Sequence, residues 1–156
     1  SINEHYIKHI DEKELFELLK VYCQKFKKKI DTSKESTLLK SMNFLKNKAK
    51  TLEDIYQNAH YILNDAIKIL PEDLKLLDAP SKKILKDFLS EFEKISKITK
   101  ENLEKIVNGL IDRHKTNFKG VGQPLRIALT GSRFGPGIYD IIISLNKNAV
   151  VKRLKN

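Results

Sequence analysis

The segment Gln123–Leu145, QPLRIALTGSRFGPGIYDIIISL, differs in composition from the rest of the chain. Most other residues form the lysine-rich patterns of amphipathic helices, whereas this segment holds two of the four prolines and two of the four arginines. Pro124 suits the first turn of a helix, where its missing N–H is not needed. Gly131 suits the end of that helix because glycine readily adopts a positive φ. The segment therefore predicts a short helix that ends at Gly131.

A loop and a second helix follow in the same segment. The loop Ser132–Gly135 leads to Pro136, again a suitable first-turn residue, and Ile138–Leu145 is predicted as the next helix. Thr130 and Ser132 are predicted to cap local backbone. Phe134 could stack on an RNA base, although such a residue more commonly packs beneath the loop. Arginine, hydroxyl and backbone N–H groups in such a loop suit contact with one or two RNA bases.

The overall composition favours a polyanionic partner without requiring one. The 156 residues carry a net charge of +10 and a pI near 9.6, which fits binding to phosphates with release of counterions. A solvated lysine-rich surface, in a protein encoded by an A/T-rich genome, explains the same numbers. Both interpretations stay open on charge alone.

Several classes of protein are disfavoured by what the sequence lacks. A single cysteine, Cys23, excludes an internal disulfide and a multi-cysteine zinc site, and we expect it to be a small core residue. No apolar stretch is long enough to span a membrane and no signal peptide is evident, so we expect a cytoplasmic protein. The chain begins Ser-Ile without methionine, which suggests an excised fragment of a longer protein; a chain encoded alone stays open as the alternative.

Apolar residues recur at helical spacing throughout, and no sustained alternation predicts a strand. The fold class is therefore all-α, and Pro71 predicts a division into helical subdomains 1–70 and 71–156. Helix starts are predicted where a capping residue precedes the apolar pattern, at Asp11, Thr51 and Thr99. The helix that precedes Thr51 either bends or restarts there.

Further predictions concern the last third of the chain. Lys115–Gly122 is predicted as a basic, glycine-containing loop. Asn146 suits a left-handed helix end. A last helix is predicted to contain Val150, Val151 and Leu154, with three basic residues, Lys147, Lys152 and Arg153, on its outer side.

Motifs for catalysis are missing. There is no GxxxxGK[ST] phosphate-binding loop and no GxGxxG. His5 and His9 would share a helical face but lack a third metal ligand, and His60 and His114 are scattered. No nucleophile has an evident general base. We therefore expect no catalytic residue, metal or cofactor in this chain, and a self-contained enzyme is disfavoured.

The motif PLR-I-ALTG, followed by a loop and GPG-I-YDII, resembles the signature of the anticodon-binding part of bacterial glutamyl-tRNA synthetases. Three further pieces agree with the family in order and spacing over essentially the whole chain. Ile2–Ile7 resembles a Trp/Leu-Asn-x-x-Tyr-Ile motif, and Lys48–Leu52 resembles Arg-x-x-Thr-Leu. Asn146-Lys147, with Lys152-Arg153-Leu154 after it, resembles Gly-Lys followed by Arg-Arg-Leu. The family's nucleotide-binding fold and its ATP motifs are absent. The resemblance thus covers only the C-terminal anticodon-binding part.

This resemblance implies a helical cage of two packed subdomains that holds the anticodon loop. Arg126 matches the arginine that approaches the unstacked anticodon bases; a helix-surface salt bridge is its alternative role. Gly135, Pro136 and Ile138 match the segment that packs against and recognises the first anticodon base, although a turn and a core isoleucine would look the same.

The chain departs from the family at two positions. Lys48 stands where synthetases strict for glutamate tRNA have an arginine that recognises the third anticodon base. Because lysine offers one mobile charge in place of a bidentate fork, we hypothesise weaker discrimination of C from G; a phosphate contact or a solvated lysine is the alternative. Asn108 stands where a related enzyme has an arginine. Candidate phosphate contacts around the loop are Arg113, Lys115, Lys119 and Arg133.

The sequence thus favours tRNA anticodon recognition by part of a glutamate–tRNA ligase. The expected partners are tRNA for glutamate and, through Lys48, also tRNA for glutamine; a monomer without membrane association is expected. ATP and Mg²⁺ would act in the parent's catalytic domain. The alternative function is a basic helical module that binds a protein or DNA, which would need an apolar groove or a recognition helix rich in Arg, Asn and Gln.

Overall fold

The structure, a computed structural model, describes residues 4–156. This range contains eleven α-helices and no strand, so the predicted all-α fold is confirmed. The chain divides into two compact units, Ser1–Asp65 and Ala66–Asn156. The division predicted at Pro71 lies five residues further on, at the first helix of the second unit. Ile2 and Asn3 of the first matched motif lie outside the described residues.

The first unit is built on five helices: α1 (Glu4–His9), α2 (Glu12–Lys25), α3 (Glu35–Leu45), α4 (Leu52–Asn58) and α5 (His60–Leu63). Helix α2 packs against α3 and α4. The core is made of side chains that are almost fully inaccessible, among them Leu15, Leu19, Cys23, Leu38, Met42, Ile55 and Tyr61. Cys23 is therefore a core residue, and burial raises the pKa of its thiol.

Thr51 begins a new helix. Helix α3 ends at Leu45, and a 3-10 turn, Lys46–Lys48, leads to Ala49 in extended conformation. Thr51 Oγ1 then accepts a hydrogen bond from Asp54 N at 3.1 Å, while Asp54 Oδ2 accepts one from Thr51 N at 3.2 Å. This reciprocal capping box satisfies two donors at the start of α4. The chain therefore restarts at Thr51 and does not merely bend.

The second unit contains α6 (Pro71–Leu74), α7 (Ala79–Lys94), α8 (Lys100–His114), α9 (Phe118–Thr130), α10 (Ile138–Ser144) and α11 (Lys147–Lys155). Helix α9 is central because it packs against α7, α8, α10 and α11. Thr99 caps α8, as predicted, by accepting from Asn102 N at 3.1 Å. The core residues include Ile84, Phe88, Phe92, Leu103, Val107, Leu110, Leu125, Leu129, Ile141 and Val150.

Two predictions about α9 are wrong and one is right. Asn117 caps the helix by accepting from Gly120 N at 2.9 Å, so Lys119–Gly122 is helical and not a loop. Pro124 consequently lies inside α9, where it removes one helical hydrogen bond. The helix ends at Gly131, whose φ of 85° is left-handed as predicted.

The predictions for α10 and α11 also need correction. Pro136 precedes α10, whose N-cap is Gly137, and is not in the first turn. Asn146 is not a left-handed helix end; it caps the start of α11 by accepting from Ala149 N at 2.8 Å. Lys147 donates to Ile95 O at 2.8 Å. Arg153 is buried and not on the outer face, because its guanidinium donates to Leu129 O at 2.7 Å.

Replacement of Thr51 by alanine tests the capping box. Thr51→Ala removes the acceptor for Asp54 N, and we expect a loss of about 1 kcal/mol in the free energy of unfolding, measured by urea titration. Ser36→Ala, at an exposed position in the first turn of α3, is the control and should change little. Equal stability of both variants would contradict the assignment.

Candidate functional site

Arg126 lies on α9 and is half-buried. Its Nε donates to Pro136 O at 3.1 Å and its Nη1 donates to Arg133 O at 3.3 Å. Burial lowers the pKa of the guanidinium, but arginine stays charged in proteins. The side chain therefore holds both ends of the loop that follows α9, and it retains further N–H groups and a planar face.

Short-range hydrogen bonds shape the start of this loop. Thr130 Oγ1 donates to Arg126 O at 2.8 Å and lies 3.2 Å from Ser132 N, which donates to it. Ser132 Oγ accepts from Phe134 N at 3.0 Å. Thr130 and Ser132 thus cap local backbone in the way the sequence predicted.

Two glycines are required by the backbone of the loop. A Cβ at Gly131 would lie 2.3 Å from Lys68 O, so no side chain fits there. Gly135 has φ of 134°, a conformation that L-residues rarely adopt. The loop therefore depends on glycine both at its start and at the point where it turns toward α10.

Of the predicted base-contacting segment, only part is accessible. Pro136 and Ile138 are buried, whereas Gly135 is partly exposed. The Ile138 side chain packs near Gly122 of α9. Ile138 is thus a core isoleucine in this structure, and Gly135 and neighbouring backbone are the parts that a base can reach.

Phe134 is the most exposed aromatic residue of this loop. Phe134 is 70% exposed, so of the two predicted alternatives, packing beneath the loop is wrong. The Arg133 guanidinium lies 5.0 Å from the ring centroid. The loop therefore presents a flat aromatic surface, next to a cation, to solvent.

Asp73 is a site residue that the sequence did not suggest. It is 3% exposed, and its Oδ1 lies 3.5 Å from Arg133 Nε without forming a hydrogen bond. The pair is therefore an ion pair of imperfect geometry, and Arg133 is held by a carboxylate instead of standing free for a phosphate. No local pattern indicates this contact, because its partners are 60 residues apart.

The other predicted contacts lie on both units. Arg113 is half-exposed and lies 3.7 Å from Asp87, whereas Lys115, Lys119 and Asn108 are exposed on or beside α8 and α9. Lys48 is exposed at the end of the 3-10 turn before Thr51, in the first unit. The structure thus brings the Arg126 side chain of α9 to the loop that contains Gly135 and Pro136, and Lys48 belongs to the other unit.

An aromatic pair that the sequence did not suggest lies where α9 and α10 meet. The rings of Phe118 and Tyr139 are 6.0 Å apart, and burial raises the pKa of Tyr139. Within residues 4–156 no three His, Cys, Asp or Glu side chains group as metal ligands. No helix in that range is long and apolar enough to cross a membrane.

Comparison with known proteins identifies the class to which this fold and loop belong. Residues 8–156 match the family of anticodon binding domains, so the chain belongs to that family. It is similar to the glutamate–tRNA ligase of Pelagibacter ubique, with 56% identity over 156 residues that cover 100% of this chain and 34% of the relative. The glutamate–tRNA ligase of Thermodesulfovibrio yellowstonii is 29% identical over 157 residues, which cover 99% of this chain and 34% of that protein.

A solved structure has the same fold. The crystal structure of a glutamate tRNA ligase from Elizabethkingia meningosepticum, in complex with its amino acid, superimposes with a TM-score of 0.78 at 16% identity. The match covers 98% of this chain and 30% of that one. This chain therefore spans about a third of the length of the relatives it matches, and it has the all-helical architecture of one part of such a ligase.

The dependence of the loop on Arg126 can be tested by Arg126→Lys. Lysine keeps the charge but cannot place two N–H groups on the carbonyls of Arg133 and Pro136. We expect a loss of about 1–3 kcal/mol in unfolding free energy and amide chemical-shift changes centred on residues 131–137. Arg113→Lys, at an exposed site, is the control. Unchanged shifts in the loop of Arg126→Lys would contradict this role.

Proposed function

We propose that this chain binds the anticodon loop of tRNA for glutamate and is the anticodon-binding part of a glutamate–tRNA ligase. The observation that carries the proposal is the family match over residues 8–156, together with 56% identity to one such ligase over the full chain. Activation of glutamate with ATP and Mg²⁺, and its transfer to tRNA, would take place elsewhere in the longer protein. We further propose that this protein is cytoplasmic and monomeric.

Arg126 is proposed to have two roles: it holds the loop in its conformation and it contacts an anticodon base. Two of its N–H groups hold the loop carbonyls, and the remaining groups and planar face suit an unstacked base. The exposed ring of Phe134 offers stacking. Gly135 has no side chain, so RNA can approach the backbone there.

The basic residues near the loop are proposed to bind phosphates. Lys115 and Lys119 are exposed and suit this role, which adds salt-dependent affinity without choosing a sequence. Arg113 shares its charge with Asp87, and Arg133 is paired with buried Asp73, so both should contribute less. Exposed Asn108 is proposed as a hydrogen-bonding contact to a base.

Lys48 is proposed to relax recognition of the third anticodon base, so that tRNA for glutamine is also bound. The support is its exposed position at the end of the 3-10 turn, three residues before the cap of α4, and its place in the motif whose resemblance implies an arginine there. An ammonium group makes a point contact, whereas an arginine fork would select one base edge.

A titration against three RNA hairpins tests the proposed function. Their anticodons are UUC, UUG and an unrelated triplet, and fluorescence anisotropy is measured at several salt concentrations. We expect UUC and UUG to bind similarly and both more tightly than the unrelated loop. Arg126→Lys should reduce this preference while the salt dependence remains. Equal binding of all three, falling steeply with salt, would contradict anticodon recognition.

The role of Lys48 is tested separately by Lys48→Arg. A bidentate contact discriminates between bases by about 1–3 kcal/mol, so we expect the affinity ratio of UUC to UUG to rise by roughly 5- to 150-fold. Lys40→Arg, at an exposed position on α3 of the same unit, should leave the ratio unchanged. A wild-type chain that already binds UUC alone would refute relaxed recognition.

A further inference from the structure

An exposed aromatic ring lies among lysines at the end of α2. Phe26 is 55% accessible and is flanked in sequence by Lys25, Lys27 and Lys29. The ring centroids of Tyr22 and Phe26 are 4.8 Å apart. Lys25 Nζ lies 5.6 Å from the centroid of the Phe26 ring. We call these five residues the Phe26 patch.

The aromatic side of the Phe26 patch is held in place by Glu53. The Tyr22 hydroxyl donates to Glu53 Oε2, and Gln57 Nε2 donates to Glu53 Oε1 at 3.0 Å. Lys28 Nζ lies 3.4 Å from the same carboxylate and 4.9 Å from the Tyr56 ring centroid. Glu53 is thus neutralised by a lysine outside the patch.

The three lysines of the Phe26 patch keep their charge unpaired. Among residues 4–156, neither Lys25, Lys27 nor Lys29 has a carboxylate within 4.0 Å. All three are exposed. Three lysines without a carboxylate partner therefore lie within three residues of one exposed ring in the sequence, and the ammonium group of Lys25 lies over that ring.

Lys27 also occupies a backbone position that favours glycine. Its φ is 55°, and Lys28 N donates to Cys23 O at 2.8 Å while Lys27 N donates to Gln24 O. These bonds form a Schellman motif with lysine at the left-handed residue. Glycine would hold this conformation without the steric cost of a Cβ, which is on the order of 1 kcal/mol.

An unpaired nucleotide matches this surface chemically. Its phosphates would meet the lysines, and its base would stack on the Phe26 ring. A duplex hides its base faces and could use only the charges. We propose that the Phe26 patch is a second RNA contact, distinct from the Ser132–Gly137 loop, that stacks one unpaired nucleotide. The proposal rests on the proposed function only in taking RNA as the partner.

Photo-crosslinking locates the contact. The full chain is irradiated with a 12-nucleotide unstructured RNA that carries 5-iodouridine, and crosslinked peptides are sequenced by mass spectrometry. We expect a crosslink to Phe26 or Tyr22. Crosslinks confined to residues 118–145, with none in residues 22–29, would overturn the proposal.

Variants of Phe26 separate stacking from charge. Phe26→Ala should weaken binding of the single-stranded RNA about tenfold, and Phe26→Tyr should restore it, because stacking on one aromatic ring contributes this much. Blunt duplex RNA should bind both variants equally. Circular dichroism confirms that each variant is folded. A change of less than twofold in RNA affinity for Phe26→Ala would overturn the proposal. This is also the result expected if the patch binds an acidic protein surface and not RNA.

A matched pair of charge variants tests the lysines. The triple replacement of Lys25, Lys27 and Lys29 by glutamate should make the negative slope of log affinity against log salt less steep by about 2. The control replaces Lys82, Lys83 and Lys86, exposed residues of α7, by glutamate, and it therefore changes the net charge by the same amount. Equal effects of the two triples would overturn the proposal.

Failure of this proposal can be distinguished from failure of the proposed function. The preference for the UUC hairpin over an unrelated hairpin is a property of the anticodon contact alone. Phe26→Ala should leave that ratio unchanged. Loss of the ratio in the wild-type chain would refute anticodon recognition, whereas an intact ratio with no effect of the Phe26 variants would refute only the Phe26 patch.

Discussion

The buried end of α9 imposes the constraint on which the second unit depends. The last carbonyls of a helix have no intrahelical partner, and leaving one buried without a hydrogen bond costs about 1–3 kcal/mol. Gly131 N–H donates to Ile127 O, and the Arg153 guanidinium donates to Leu129 O. The first bond sets the direction in which the loop leaves the helix. The second fixes α11 against the same turn, so one requirement for hydrogen bonds organises both neighbours.

The candidate site grows out of that helix end. Arg126 binds two loop carbonyls one turn before Gly131, so the residue expected to meet RNA is also the one that shapes the loop. The resemblance to known synthetases proposed Arg126 and Gly135 as site residues, and the structure places the Arg126 side chain at the loop that contains Gly135. It could not reveal Asp73, because the contact of that residue with Arg133 arises from tertiary packing between distant segments. The exposure of Phe134 also could not be predicted from the sequence, because the conformation of the loop decides whether that ring faces solvent or the core.

The fold was predictable where a single local interaction decides the structure. Thr51 was recognisable because its capping partner is three residues away, and Gly131 because a left-handed end favours glycine. Pro124 was misplaced because burial of α9 outweighs the loss of one helical hydrogen bond. Arg153 was misplaced because its charge suggests a solvated face, whereas its carbonyl partner lies in the core of the unit. Local rules fail at residues whose environment is supplied by another helix.

At the two lysines that occupy left-handed helix ends, a replacement that raises stability also lowers the positive charge. Lys27 and Lys115 have φ of 55° and 51°, and glycine at either position would relieve strain of about 1 kcal/mol. Both replacements together would lower the net charge from +10 to +8. A variant engineered for heat resistance by optimising helix ends would therefore attract polyanions less strongly over long distances. Thermostability and electrostatic steering are thus in competition at these two residues.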